Sequence, residues 1–208
     1  MIADLCLVLL LDASGSVDAS EWELQAKATA EALSTPAIVE KITHGQNGRI
    51  AVTAMEWSSS AMLILPWTPI ASMGDAKSVA LVLATYQRRQ SGSTAVGDAL
   101  LAAASAIKAA PDCVRHVVDI SSDGTNNAGS DPKAAVAALQ AMDVQVNALV
   151  IEDEMGVLEF YQKTVSGFVM SANWESYQQA IKAKLSLEIA ELDACRPDLT
   201  GCSGPSIH

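Results

Sequence analysis

The segment Asp12-Ala13-Ser14-Gly15-Ser16 places one carboxylate and two hydroxyls within a single turn, directly after the aliphatic run Leu5 to Leu11. Such a set of hard oxygen donors suits Mg²⁺ or Mn²⁺, with Ca²⁺ as a further option, and does not suit zinc. Two later segments offer the same chemistry. Gly92-Ser93-Thr94-Ala95-Val96-Gly97-Asp98-Ala99-Leu100 presents Thr94, and Ser121-Ser122-Asp123-Gly124 presents Asp123 after the apolar stretch Val114 to Ile120. Each segment alone is ordinary turn or cap chemistry, because Asp, Ser, Thr and Gly are the preferred residues of turns and helix N-caps. Their shared location is what argues for a site: each falls at the C-terminal end of an expected strand or in the loop entering a helix, and a parallel sheet delivers those ends to one rim.

The elements that must do this alternate along the chain, as in a largely parallel sheet with helices on both faces. A first strand is expected over about Asp4 to Leu11. Ser20 with Glu23 forms a capping-box pattern, and Trp22, Ala26, Ala30 and Leu33 give the following helix an apolar stripe. Thr35-Pro36 reads as the N-cap and first position of a short helix that runs to Ile42 and ends at His44-Gly45. Strands are expected at Arg49 to Trp57 and at Ala61 to Leu65, the latter stopped by Pro66 and hence at an edge. Asp75 to Arg88 reads as a helix with Val79, Leu83 and Tyr86 buried, and Val96 to Ala109 as an Ala-rich one. Val114 to Ser121 is a strand buried on both faces. A helix from Asp131-Pro132 to Met142, a strand at Val144 to Ile151, a helix from about Met155 to Val165, a strand at Phe168 to Ser171 and a helix from about Trp174 to Ala190 complete the series. Residues 1–192 are expected to form one domain, and 193–208 an irregular tail.

Half of the 208 residues are apolar, which is ample for a single core. A formal charge of −11 argues against nucleic acid, since phosphate binding needs clustered Lys and Arg. The same acidity disfavours anionic membranes, and the aliphatic runs are far shorter than the roughly 20 residues of a spanning helix. Met1-Ile2-Ala3-Asp4 leads into the first strand with neither a basic region nor a cleavage site, so a leader already removed is expected, a cytoplasmic location being the alternative. Cysteine usage leaves three arrangements open: a local Cys195 to Cys202 disulfide, a Cys6 to Cys113 disulfide, or four unpaired thiols in a reducing compartment. His44, His116 and His208 are far apart and show no zinc spacing.

At Asp12-x-Ser14-x-Ser16, Thr94 and Asp123 the chain resembles the von Willebrand factor A (vWA) domains, whose metal-ion-dependent adhesion site (MIDAS) has this order. The resemblance covers about Asp4 to Ala190. It implies a doubly wound, mostly parallel six-stranded α/β sheet with one short antiparallel edge strand. It also implies that Ser14, Ser16 and Thr94 ligate the ion, while Asp12 and Asp123 hold it largely through water. Neutral hydroxyls next to the cation leave its charge incompletely balanced, so a carboxylate from a partner protein completes the coordination. Glu56-Trp57-Ser58, Pro66-Trp67-Thr68 and Ser122 to Asn127 further resemble a bacterial vWA branch of unknown function that carries secretion signals. A periplasmic or extracellular location follows from that resemblance.

Two other functions fit part of the same pattern. Haloacid dehalogenase-like phosphohydrolases share the sheet and an Asp-Gly loop resembling Ser122 to Asn127, but their first motif carries a second carboxylate as general acid where this chain has Ser14. Losing that acid costs typically ~10² to 10⁴ in rate. A vWA scaffold that binds partners without metal is disfavoured because all five ligand positions are filled. Of the remaining polar residues, Glu56 reads as a solvated charge at a strand end, and Trp57 and Trp67 as packing residues. Asp119, inside an apolar strand, needs a partner, expected from Arg115, His116 or the backbone. Asn126 and Asn127 either support the ligands or form a plain polar loop.

Overall fold

The structure, a computed structural model, describes residues 1–151 and 156–190. Its elements are β1 (Ala3–Asp12), α1 (Ala19–Leu33), α2 (Pro36–His44), β2 (Ile50–Trp57), β3 (Ala61–Ile70), α3 (Met73–Thr85) and α4 (Val96–Lys108), followed by β4 (Cys113–Ser122), α5 (Pro132–Gln140), β5 (Val144–Ile151), α6 (Val157–Gln162), β6 (Val169–Ala172) and α7 (Tyr177–Ala190). Six strands form one sheet in the order β3-β2-β1-β4-β5-β6, with β3 antiparallel to β2 and every other pairing parallel. The expected α/β architecture is therefore the observed one.

Strand alternation builds two cores from β1 alone. Leu5, Leu7 and Leu9 face α1, α3 and α7 through Leu33, Val79, Leu83, Ile181 and Leu185. Val8 and Leu10 face α4, α5 and α6 through Leu100, Ile107, Leu139 and Tyr161. A strand apolar at every position from Leu5 to Leu11 can be satisfied only at the centre of the sheet, where both faces are covered. Cys6 and Cys113 form a disulfide between β1 and β4, Cα atoms 5.7 Å apart and 107 residues apart in sequence. Closing so long a loop stabilises the fold by about 4 to 5 kcal/mol in the chain-entropy account. The alternative Cys195 to Cys202 pairing and the expected domain boundary lie outside the described residues.

Several boundaries differ from the sequence reading, each for a local reason. The capping box of α1 is made by Asp18 and Glu21, not Ser20 and Glu23: Asp18 accepts from the Ser20 and Glu21 N–H groups, and Glu21 returns a bond to the Asp18 N–H. Pro66 does not stop β3, which is ten residues long. Between Val52 and Ala54 of β2, Pro66 and Trp67 oppose the single residue Thr53, whose hydroxyl donates to the Leu65 carbonyl at 2.7 Å. A bulge on an edge strand needs no ladder donor from proline. Helix α3 ends at Thr85, before Tyr86, because the following N–H groups turn onto Glu56. Helix α7 starts at Tyr177, three residues later than expected, because Asn173 and Ser176 close a side-chain-bonded turn ahead of it. Among the described residues no helix is long and apolar enough to cross a membrane.

Candidate functional site

Asp12 ends β1 with its side chain buried, and both its oxygens are engaged. Oδ1 accepts from the Ser14 N–H at 2.7 Å, and Oδ2 accepts from the Ser122 hydroxyl, at the end of β4, at 2.5 Å. The Asp12 peptide is held separately by Gln25 of α1, which bonds its N–H at 3.1 Å and its C=O at 2.9 Å. Ser14 and Ser16 hydroxyls lie 3.1 Å apart, and Ser16 donates to Asp123 Oδ1 at 2.7 Å. Residues 107 apart in sequence thus meet at one point. Thr94 is buried against Gly124, where an added Cβ would stand 3.4 Å from the Thr94 hydroxyl oxygen. Ser16 and Thr94 wall a cleft of about 210 Å³ together with Gly15, Gly92, Gly124, Thr125 and Asn127, whereas Asp12, Ser14 and Asp123 are buried and do not line it, being joined to Ser16 through the bonds just described.

Burial pushes the Asp12 carboxyl up to about 6, with the Asp123 charge adding to it, although bonds from Ser122 and Ser14 pull the other way. The ionised form of Asp12 is therefore costly to hold in this buried position. The donor set is all oxygen, from two carboxylates and three hydroxyls, and a hard divalent cation would relieve the Asp12 charge. These residues fit such an ion.

What positions the loops was only partly foreseen. Asn127 is tied to Thr94 at three points: Oδ1 accepts from the Thr94 N–H at 2.8 Å, Nδ2 donates to the Thr94 hydroxyl at 3.5 Å, and its own N–H donates to the Thr94 C=O at 3.0 Å. Asn126 accepts from the Gly97 N–H at 3.3 Å. Both asparagines therefore support the site; they are not a plain polar loop. Glu56 is not a solvated strand-end charge. It is fully buried, accepting from the Arg89 and Gln90 N–H groups at 2.8 and 2.5 Å and from the Tyr86 hydroxyl at 2.9 Å. So anchored, the segment aims Arg88 at the loop after β1, where its guanidinium donates to the carbonyls of Ala13, Ser14 and Val17 at 2.8, 2.7 and 2.5 Å. Gly92 in the same segment accepts from the Gly15 N–H at 2.8 Å. The roles of Arg88 and Glu56 do not show in the sequence because the contacts that define them join segments 30 or more residues apart.

A family model described as a protein of unknown function, DUF1194, matches residues 2–193. The chain belongs to this family. No curated protein sequence matches the DUF1194 chain. Among solved structures it is similar to proximal thread matrix protein 1 of the mussel byssus with a zinc-occupied MIDAS motif, at 18% identity and a TM-score of 0.70, over 92% of this chain and 48% of that one. The DUF1194 chain thus spans about half the length of that protein. It is also similar to a von Willebrand factor type A protein from Catenulispora acidiphila (16% identity, 90% and 43% covered, TM-score 0.63) and to BatB from Bacteroides thetaiotaomicron (17%, 91% and 100%, 0.61). The fold is that of a vWA domain.

Asp119 finds neither of the side-chain partners expected for it. Its carboxylate forms an ion pair with Lys184 of α7, which also donates to Glu188 at 2.7 Å; all three are buried. Asn147 donates to the same Glu188 oxygen at 2.8 Å. Burial raises Asp119 to about 7, with the Glu188 charge adding to the rise and Lys184 opposing it. For Lys184, burial works against the charge, but Asp119 and Glu188 outweigh it and the ammonium is held above its usual range. Arg115, an expected partner of Asp119, instead donates to the Glu188 carbonyl. Trp57 is core, and Trp67 packs at the sheet edge with its indole N–H on the Ala106 carbonyl, as its apolar neighbours implied.

Proposed function

We propose that this chain is a divalent-metal-dependent protein-binding module, not an enzyme, in which an Asp or Glu of a partner protein completes the coordination of Mg²⁺, or of Mn²⁺ or Ca²⁺, at Asp12, Ser14, Ser16, Thr94 and Asp123. The observation that supports the reading is the bonded group Asp12, Ser14, Ser16 and Asp123, from the ends of β1 and β4, beside an open cleft that Ser16 and Thr94 line. Ser14, Ser16 and Thr94 would supply neutral oxygens to the ion, while Asp12 and Asp123 balance part of its charge from behind. The ion supplies an unsatisfied positive charge at the cleft mouth. Arg88, Asn127 and Glu56 keep the three loops in place whether or not a partner is present. Ser14 also argues against phosphoryl hydrolysis, because no carboxylic acid stands where that chemistry needs one.

A module of this kind works outside the cell or in the periplasm in our reading, which the Cys6 to Cys113 disulfide supports, since such bonds persist in oxidising compartments. The test is thermal unfolding with and without metal. A ligand bound only by the native state stabilises it by about 2.7 kcal/mol at a hundredfold excess over its dissociation constant. Millimolar Mg²⁺ or Mn²⁺ is expected to raise the melting temperature, and Asp12→Ala to abolish the shift. A melting curve unmoved by either ion overturns the metal reading. Capture of a partner that survives EDTA overturns the carboxylate-bridging role.

A further inference from the structure

A second metal-ligating cluster lies at the opposite end of the same two strands. Cys6, Cys113 and His116 place two Sγ atoms and an imidazole nitrogen within 4.8 Å of one another. The strand register creates the cluster, for Cys6 of β1 is paired directly with His116 of β4, and in a parallel pair opposed residues share a face. Cys6 is buried, whereas Cys113 and His116 are half-exposed, and His116 lines an open cleft of about 850 Å³ that also holds Asp143. Solvent and ions therefore reach the His116 imidazole through that cleft, and Cys113 through its own exposed surface.

We propose that, once the Cys6 to Cys113 disulfide is reduced, the two thiolates and His116 form a binding site for a soft or borderline divalent ion of the zinc class. The chemistry differs from that of the oxygen site in every donor, and thiolate and imidazole select zinc-like ions over magnesium. Geometry permits the exchange. Tetrahedral ligands at a Zn–S distance of ~2.3 Å lie about 3.7 Å apart, which is inside the 4.8 Å span of the three atoms. The Cα separation of 5.7 Å allows both sulfurs to reach one ion by side-chain rotation. The reaction balances in two steps. A small dithiol reductant gives two electrons and two protons to the disulfide, yielding two thiols and its own cyclic disulfide; the divalent ion then displaces both thiol protons. Water or another oxygen donor fills the fourth position. Either bond, disulfide or metal bridge, ties β1 to β4, so the strand pair stays cross-linked in oxidising and in reducing surroundings.

The test uses the full chain with Cys195→Ser and Cys202→Ser, so that those thiols contribute nothing, titrated with Co²⁺ alone after reduction. One equivalent of Co²⁺ is expected to produce thiolate-to-cobalt charge-transfer absorption and the visible bands of a tetrahedral site, both removed by stoichiometric Zn²⁺. The oxidised protein should show neither. Cys113→Ser should remove the charge-transfer band, and His116→Ala should weaken Co²⁺ binding at least about tenfold. Absence of the band in reduced, folded protein overturns the proposal, as do identical bands in oxidised protein or unchanged affinity in His116→Ala. A reduced chain that unfolds and is not refolded by Zn²⁺ overturns it too, since the cross-link would then serve only as a disulfide.

Discussion

Replacement of Arg88 by alanine tests whether the first metal loop is held by the protein or only by its ion. The guanidinium donates to the carbonyls of Ala13, Ser14 and Val17, and Nε donates to the Gln90 carbonyl at 2.7 Å. Ala13, Ser14 and Val17 are buried residues, at most 1% exposed. A buried polar group stripped of its partner costs about 1 to 3 kcal/mol. Arg88 itself is half-buried, so water can enter the space it leaves, and the lower figure applies to each of the three carbonyls. Arg88→Ala should therefore cost about 3 kcal/mol in urea unfolding without metal. Arg88→Lys should recover only part of this, because an ammonium is a point donor and cannot span three carbonyls in a fixed fork. A loop no longer pre-shaped must be ordered by the ion, so the Mg²⁺ concentration giving half of the thermal shift should rise about tenfold, equivalent to about 1.4 kcal/mol. A loss under about 1 kcal/mol together with an unchanged half-saturation would refute the clamp.

Further outcomes follow from the same contacts. Glu56→Gln keeps the shape but makes the bonds from the Arg89 and Gln90 N–H groups neutral and puts an amide donor where the Tyr86 hydroxyl had an acceptor, and should cost about 2 to 3 kcal/mol in urea unfolding. Gly97→Ala would set a Cβ 2.1 Å from the Ser130 carbonyl oxygen, a backbone atom that cannot rotate away; a loss of at least about 1 to 3 kcal/mol is expected, read as a lower urea midpoint. Asp119 rises from 3.8 in the unfolded chain to about 7 in the fold, so it binds a proton on folding between those values. Its contribution to stability is present at acid pH and lost as pH rises through about 7. Asp119→Asn should accordingly flatten the pH dependence of the melting temperature between about pH 4 and pH 8, and an unflattened profile would assign that dependence to other groups.

The fold was legible because its evidence is local. Each strand shows itself as an apolar run and each helix as a stripe with a cap, and the edge position of β3 follows from Pro66. Boundaries failed where a distant side chain decided them: α3 ends where Glu56, 30 residues earlier, captures the Arg89 and Gln90 N–H groups. The five proposed oxygen donors stand out in sequence because each lies in a short polar motif, four of them at the ends of β1 and β4 and Thr94 in the loop entering α4. Their supports do not. Gln25 looks like any polar residue of a helix, Arg88 like the end of one, and only folding reveals that each holds a peptide of the first metal loop. Lys184 was likewise hidden, since a lysine in a final helix reads as solvated until Asp119 and Glu188 are found against it.

The pairing of β1 with β4 carries more than the core. Leu11 lies opposite Ser121, so Asp12 comes beside Ser122 and accepts its hydroxyl at 2.5 Å; six residues earlier the same register sets Cys6 beside His116. Strand side chains alternate faces, so a slip of one residue would turn Ser122 and His116 away together. Between the two ends stand Val8, Leu10, Val118 and Ile120, all without solvent exposure and all on one face. A slip would exchange them for Asp119 and Ser121 against α4 and α5, burying an unpaired carboxylate away from Lys184. That penalty, several kcal/mol where the carboxylate stays ionised, weighs against a slip of one residue. Asp119 thus acts as a register key: the ion pair with Lys184 offers a partner in one alignment of β1 with β4, and the donor clusters at both ends of the sheet are assembled by that same alignment.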